Sequence, residues 1–329
     1  MAAHTLDNAI EADPNLYEGS ESGMDDDAAS SRYTASLTSS IEDYPMENGR
    51  RYHAFKDGTY VMPNDESELD RLDLTHNMLK ISMNMRLFDA TFSKAPKNIL
   101  DIGTGTGMWA IEMADEYPEA EIVGTDLSPT QPSWVPGNVR FEIDDAEETW
   151  AFRDQFDFIH ARYLAAAIKD WPKLVKQAFD GLAPGGTAEF QDFYLEYYSE
   201  DGSLKPEQHI SKWITELLQA CRAFGREPSP GPQLEAYMKD AGFENVAVHK
   251  YRLPIGPWPK DSHMKTVGSW NLVQIEAGLE AFSLRLFTQL LGWTTEDVQT
   301  LLANVRKDLR NPKIHAQFDL ENTFRFRML

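Results

Sequence analysis

Apolar side chains along this chain repeat in two rhythms, and the points where one gives way to the other mark its elements. At Asn98–Gly107, Ile99, Leu100 and Ile102 form a run broken only by Asp101. Gly103, Gly105 and Gly107 end it, so the stretch reads as a buried strand entering a tight turn. Trp109, Ile111, Met113 and Ala114 then recur with helical spacing, giving strand, glycine turn, helix. Ala120–Asp126 (AEIVGTD) predicts a second strand ending in an acid, and Val139, Phe141 and Ile143 alternate as a third, running into Asp144, Asp145 and Ala146. Phe156–His160 predicts a fourth strand, Lys173–Leu182 a helix stopped by APGG, and GTAEFQDFYLEYY a fifth strand. Later, NVAVHKYRLP and KIHAQFDLENTFRFRML each predict a strand, whereas HISKWITELL, GPQLEAYMKD, TVGSWNLVQI and TTEDVQTLLA open helical segments. The pattern predicts an α/β fold, and ligands of open α/β sheets bind outside the carboxyl ends of the strands.

Upstream of the glycine turn, a helix is expected from about Glu66, with Leu69, Leu72, Met78, Leu79, Met83 and Leu87 along one face and Asn64 or Asp65 as its cap. It is expected to pack over the cleft, bringing Tyr60, Glu68 and Arg71 within reach of a ligand; a solvated edge is the alternative for these three. Residues 1–50 follow neither rhythm. Their acids are opposed only by Arg32 and Arg50, and the little apolar surface cannot offset chain entropy. The chain is therefore divided into a disordered acidic tail (1–50), an N-terminal helical extension (51–92) and a main domain (93–329), whose helical block at about 254–312 is the natural substrate lid.

Composition narrows the function. The chain has 329 residues and a formal net charge of −22, so phosphate backbones repel it and nucleic acid is not expected as a direct partner. A single cysteine, Cys221, permits no internal disulfide and points to a reducing compartment. No apolar run is long enough to span a membrane, and the expected location is the cytoplasm, with the nucleus as an addition. The eight histidines show no metal-ligand spacing, so no metal site is expected.

The candidate chemistry sits at the strand ends. A dinucleotide fingerprint needs G-x-G-x-x-G, but position 108 is Met108 and the pattern is G-x-G-x-G, with Asp101 two residues before it. A carboxylate there suits a cationic ligand better than a pyrophosphate, which points to S-adenosylmethionine with its ammonium and sulfonium. Asp126 lies nineteen positions past Gly107, where a βαβ unit places a ribose-binding acid; a helix N-cap is the alternative. An acid at the third strand's end, Asp144 or Asp145, can accept from the adenine amine. His160, ending the fourth strand, is a candidate contact to the methyl donor or substrate, and the only candidate base; a structural histidine is the competing reading.

The stretches YVMPNDESELDRLDLTH, ILDIGTGTGMWAIEMAD, VGTDLSPTQPSWVPGNVRFEIDDAEETW, FDFIHARYLAAAIKDWPKL, APGGTAEFQDF, LPIGPWPKD and LLGWTTEDVQTLLANVRKDLRNPKIHAQF, between about residues 60 and 318, carry a resemblance. The chain resembles the class I S-adenosylmethionine-dependent methyltransferases and, within them, the fungal velvet-associated, LaeA-like secondary-metabolism group. That resemblance implies a Rossmann-like, mostly parallel seven-stranded sheet with one antiparallel edge strand. It implies S-adenosylmethionine as cofactor, with Asp101, Gly103, Gly105 and Gly107 at the methionine end, Asp126 and its neighbour Leu127 at the ribose, and Asp144, Asp145 and Ala146 at the adenine. Tyr60 and Arg71 are further cofactor candidates. The group includes enzymes that methylate small products and regulators that act with velvet-type protein partners.

Two functions remain open on the sequence. One is methylation of a small hydrophobic metabolite at O or N. The other is a regulatory protein that keeps the fold and acts through partners. Trp258, Trp270, Phe282, Phe287 and Trp293 make the lid aromatic and favour an apolar small substrate, unless they are core. An NAD-dependent oxidoreductase is disfavoured by Met108 and Asp101.

Overall fold

The structure is a computed structural model and describes residues 9–14, 44–47, 49–53 and 62–326. In chain order its elements are β1 (Met46–Glu47), β2 (Arg50–Arg51), α1 (Glu66–Ser82), β3 (Asn98–Ile102), α2 (Met108–Glu116), β4 (Glu121–Asp126), β5 (Val139–Ile143), β6 (Phe156–Arg162), α3 (Trp171–Gly181) and β7 (Leu182–Tyr198). They continue with α4 (His209–Ala223), α5 (Gly231–Ala241), β8 (Ala247–Pro254), α6 (Ser262–Gln289), α7 (Thr295–Leu309) and β9 (Gln317–Phe326).

Among the described residues one seven-stranded sheet runs in the order β5-β4-β3-β6-β7-β9-β8. Neighbours from β5 through β7 are parallel, whereas β9 is antiparallel to both β7 and β8. The antiparallel strand therefore lies one place in from the margin, because β8 is laid down first and the chain returns through α6 and α7 to fill the gap. The chain runs outward from β3 to β5 and then restarts on the other side of β3 with β6. That reversal opens a crevice at the carboxyl ends of β3 and β6.

Alternation along the strands separates two cores. Ile99, Phe158 and Ile122 pack with Trp109 and Met113 of α2. Leu100, Ile159 and Val123, one residue on, pack with Leu174 of α3 and Leu234 of α5. A third core joins Met78 and Leu79 of α1, Trp213 and Leu217 of α4, Leu279 and Phe287 of α6 and Leu302 of α7 to Phe193, Leu253 and Phe318 of the sheet. The expected lid is thus built into a core that α1 and α4 share.

Three local expectations change. APGG does not lie outside the fifth strand: β7 starts at Leu182, and its pairing with β6 jumps from Leu182 to Thr187, so the stretch bulges. Helix α1, capped by Asp65, buries Glu68, Arg71, Thr75 and His76 as well as Met78 and Leu79, because it is wedged between the crevice and α6 rather than resting one face on a core. Finally, the part of the N-terminal 50 residues that is described is not a free tail. Ala12 bridges Pro259, Asp13 pairs with Lys265, Arg50 with Asp65 at 2.6 Å, and Glu47 with Arg285 at 3.3 Å. Asp13 and Glu47 find cationic partners on α6, and Arg50 finds the capping acid of α1, pairings that no repeat in the sequence could signal.

Candidate active site

The crevice holds a cavity of about 260 Å³ lined by Asp101, Gly103, Gly105, Asp126, Leu127, Asp144, Asp145, Ala146 and His160 among others. The predicted strand-end residues are thus brought together around one space. The glycine turn takes left-handed φ at Gly105 (58°) and Gly107 (80°). A Cβ on Gly107 would lie 2.5 Å from Phe141 Cζ, whereas one on Gly105 would come no nearer than 3.7 Å, to Leu72. Gly107 is therefore required by packing and conformation, Gly105 by conformation and by its open approach to the cavity.

Asp101 is buried, and both its oxygens are used: Thr104 Oγ1 donates to one at 2.6 Å, and His160 Nδ1 pairs with the other at 2.8 Å. His160 is opposite Asp101 in the β3–β6 register, fully buried, with its ring stacked on Trp109 at 3.7 Å and an interplanar angle of 1°. Burial pushes the imidazole pKa down, against the pull of Asp101, so the neutral ring is favoured. These contacts orient Asp101.

Asp126 accepts from Gly105 N–H at 2.8 Å and from Ser128 N–H at 3.0 Å. No helix follows it before α3, which removes the helix-cap alternative. Burial pushes its carboxyl up to about 6, although the Gly105, Ser128 and Leu127 amides oppose this. From the connection after β4, Thr130 Oγ1 and Gln131 Nε2 donate to Gly105 O at 2.9 and 2.7 Å, so the turn is held on both sides. Asp145 accepts from Glu147 N–H at 2.9 Å, and Asp144 accepts from Asp145 N–H at 2.9 Å, which shapes the end of β5.

Other expectations fall elsewhere. Tyr60 lies outside the described residues. Arg71 does not line this cavity. Its guanidinium is buried against Glu68, at 2.6 and 2.9 Å, and borders a second, apolar cavity of about 100 Å³. Of the five lid aromatics only Phe282 lines either cavity. Trp258 stacks on His315, and Trp293 packs edge-on against Phe287. Sequence reasoning missed Arg162, Tyr163 and His76, all lining the first cavity. Arg162 follows His160 by two positions on β6 and donates to His76 Nδ1 at 2.7 Å; desolvation lowers its pKa to about 10. An arginine ending a strand predicted to reach the ligand was the available signal.

Sheet order, glycine turn and strand-end acids define a class I methyltransferase. A family model described as a methyltransferase domain matches residues 76–248. The methyltransferase pytC of Aspergillus terreus is 47% identical over 285 residues, covering 86% of this chain and 88% of that one. The secondary metabolism regulator laeA of Monascus pilosus is 37% identical over 295 residues, covering 87% and 79%. The regulator LAE1 of Cochliobolus heterostrophus is 35% identical over 278 residues, covering 82% and 91%. The chain belongs to the LaeA-like family of fungal secondary-metabolism methyltransferases. It is a methyltransferase, a class whose common methyl donor is S-adenosylmethionine. The cavity fits that group: it has carboxylates for a cationic, diol-bearing ligand and an unobstructed glycine turn.

Proposed function

We propose that this protein transfers the methyl group of S-adenosylmethionine to an oxygen or nitrogen of a small hydrophobic metabolite. The observation that carries the reading is the convergence of the ends of β3, β4 and β5 on one cavity, in a chain 47% identical to pytC. Asp101 with Gly103, Gly105 and Gly107 holds the methionine end, Asp126 with Leu127 the ribose, and Asp144, Asp145 and Ala146 the adenine. Held there, the cofactor would supply an activated methyl group to a lone pair of the acceptor, with a neutral thioether as the leaving group. The protein's own contribution is placement and exclusion of water. His160 acts as a positioning residue for Asp101, since its Nδ1 is committed to Asp101 and its ring is stacked on Trp109.

The test uses purified protein, isotopically labelled donor, and a panel of neutral aromatic compounds with RNA and histone as controls. Label in small compounds is expected; label only in RNA or histone sinks the proposal. A second reading, a regulator acting through velvet-type partners in the cytoplasm or nucleus, is favoured by the laeA and LAE1 relatives. It gains if no compound is labelled while donor binding is intact.

A further inference from the structure

The second cavity touches the first at Leu72 and Tyr163, which line both. Its walls come from parts of the chain far apart: Phe193, Leu195 and Tyr197 of β7, Trp213, Leu217 and Leu218 of α4, and Phe282 and Leu286 of α6. At about 100 Å³ it is somewhat smaller than engineered apolar cavities of about 150 Å³ that bind benzene, so it accepts a single ring or its aliphatic equivalent.

Its polar edge is chemically specific. Arg71 gives Nε and Nη2 to Glu68 at 2.9 and 2.6 Å, and Nη1 to Thr75, Gln274 and the Tyr163 hydroxyl at 3.2, 3.2 and 3.1 Å. The guanidinium also lies 4.9 Å from the Phe282 ring centroid. The charges of Arg71 and Glu68 cancel locally, and each guanidinium nitrogen already donates, so the cavity offers neither an uncompensated cation nor an uncompensated carboxylate. The Tyr163 oxygen receives a proton from Arg71. Among the described residues no acceptor takes the proton of its own hydroxyl, and burial raises its pKa, which keeps that proton in place.

The backbone is bent to put this ring there. Tyr163 has φ 57° and Ala166 φ 59°, conformations unfavourable for residues with a Cβ. The bend is held by Tyr163 N–H to Gln191 O at 3.0 Å, Leu164 N–H to Asp192 Oδ2 at 2.7 Å and Ala166 N–H to Glu227 O at 2.9 Å.

We propose that the second cavity is the methyl-acceptor site and takes a neutral, flat, apolar group, with an oxygen at the boundary between the cavities accepting the Tyr163 hydroxyl proton. This rests on the methyltransferase reading above, with the first cavity as the donor site. An acceptor seated in the chamber and held by its oxygen at Tyr163 has its reacting atoms at the one place where it can meet the donor.

The probe is phenol, a neutral single ring with one oxygen, titrated by calorimetry into the full chain saturated with S-adenosylhomocysteine. Saturable binding is expected. Tyr163→Phe, which keeps the ring, should weaken it about tenfold by loss of one hydrogen bond, and Leu218→Trp, which fills the chamber, should abolish it. Benzoate should bind more weakly than phenol. S-adenosylhomocysteine binding, followed by calorimetry, should stay within about twofold in Leu218→Trp, whose side chain lines the second cavity alone, and a retained melting transition should report that Tyr163→Phe folds. Absent phenol binding to the wild-type complex, unchanged phenol binding in Tyr163→Phe or Leu218→Trp, or equal binding of benzoate overturns the inference while leaving the donor site standing. Failure of the wild-type chain to bind S-adenosylhomocysteine overturns the donor-site reading, and this one with it.

Discussion

The two cavities that meet at Leu72 and Tyr163 are assembled by opposite means. The first is made by strand ends: Asp101, Asp126 and Asp145 close β3, β4 and β5, and the parallel sheet brings them to one edge whatever the helices do. The second is made by side-chain packing of α1, α4 and α6 over the late part of β7. Polar groups at fixed backbone positions therefore define the donor side, and apolar bulk defines the other. Damage should follow the same division: substitutions in the first cavity cost binding with little loss of stability, and those in the second cost stability with little loss of cofactor binding.

The sharpest break is Gly105→Asp. Nothing but Leu72 lies near its added Cβ, yet the residue has positive φ, and a new carboxylate would face Asp126, which now accepts the Gly105 N–H. Loss of cofactor affinity by about a hundredfold or more is expected by calorimetry, with the melting transition retained. Asp126→Ala comes next. Losing hydrogen bonds to a charged acceptor costs about 1.5–3 kcal/mol, or about ten- to a hundredfold in Kd. Unaltered affinity would remove Asp126 from the donor site.

On the other side, Leu218→Ala should cost about 2 kcal/mol in denaturant unfolding, near the low end for a buried leucine because the side chain already borders a void. Its cofactor affinity should stay within about twofold, and a larger loss would show that the two cavities are not separable.

A pH titration tests the donor side again. The Asp126 carboxyl is raised to about 6, and under the proposed assignment ribose hydroxyls would donate to its ionised form. Affinity should thus be full above pH 6 and fall by up to about tenfold per unit below it, with Asp126→Asn weaker but flatter. The sign is fixed by the raised carboxyl: in the free protein that group favours the folded state at low pH and loses this contribution as pH rises towards 6. The smallest effect is expected from deleting residues 1–50. The ion pairs of Glu47, Arg50 and Asp13 are surface or half-buried contacts, worth about 0–1 kcal/mol each, so Tm should drop by about 2–5 °C with cofactor affinity retained.

The same division explains what could be read in the sequence. That Gly103, Gly105, Asp126 and Asp145 border one cavity was legible, because strand periodicity locates a strand's end and the fold fixes where ends point; Gly107, expected with them, does not line it. The pairing of His160 with Asp101 was not legible, since it depends on the β3–β6 register, which two separate strand patterns do not specify. Nor was the chamber. Trp213, Phe282 and Phe318 have the spacing of ordinary core residues, and only three-dimensional packing distinguishes those that border a void from Phe287, which does not. Tyr163 carried no signal at all, because neither a left-handed φ in a residue with a Cβ nor the long-range acceptors that hold it can be inferred locally.

Leu72 and Tyr163 are walls common to both cavities, so two neighbouring spaces ask for different chemistry on either side of the same side chains. A single inhibitor can exploit this. An adenosine headgroup carrying a neutral aromatic arm in place of the transferable methyl would engage both spaces in one association event, and the second contact would cost no further loss of translational freedom. Selectivity among related methyltransferases would then come from the arm, because the strand-end acids are a property of the fold and the chamber is a property of this chain's packing.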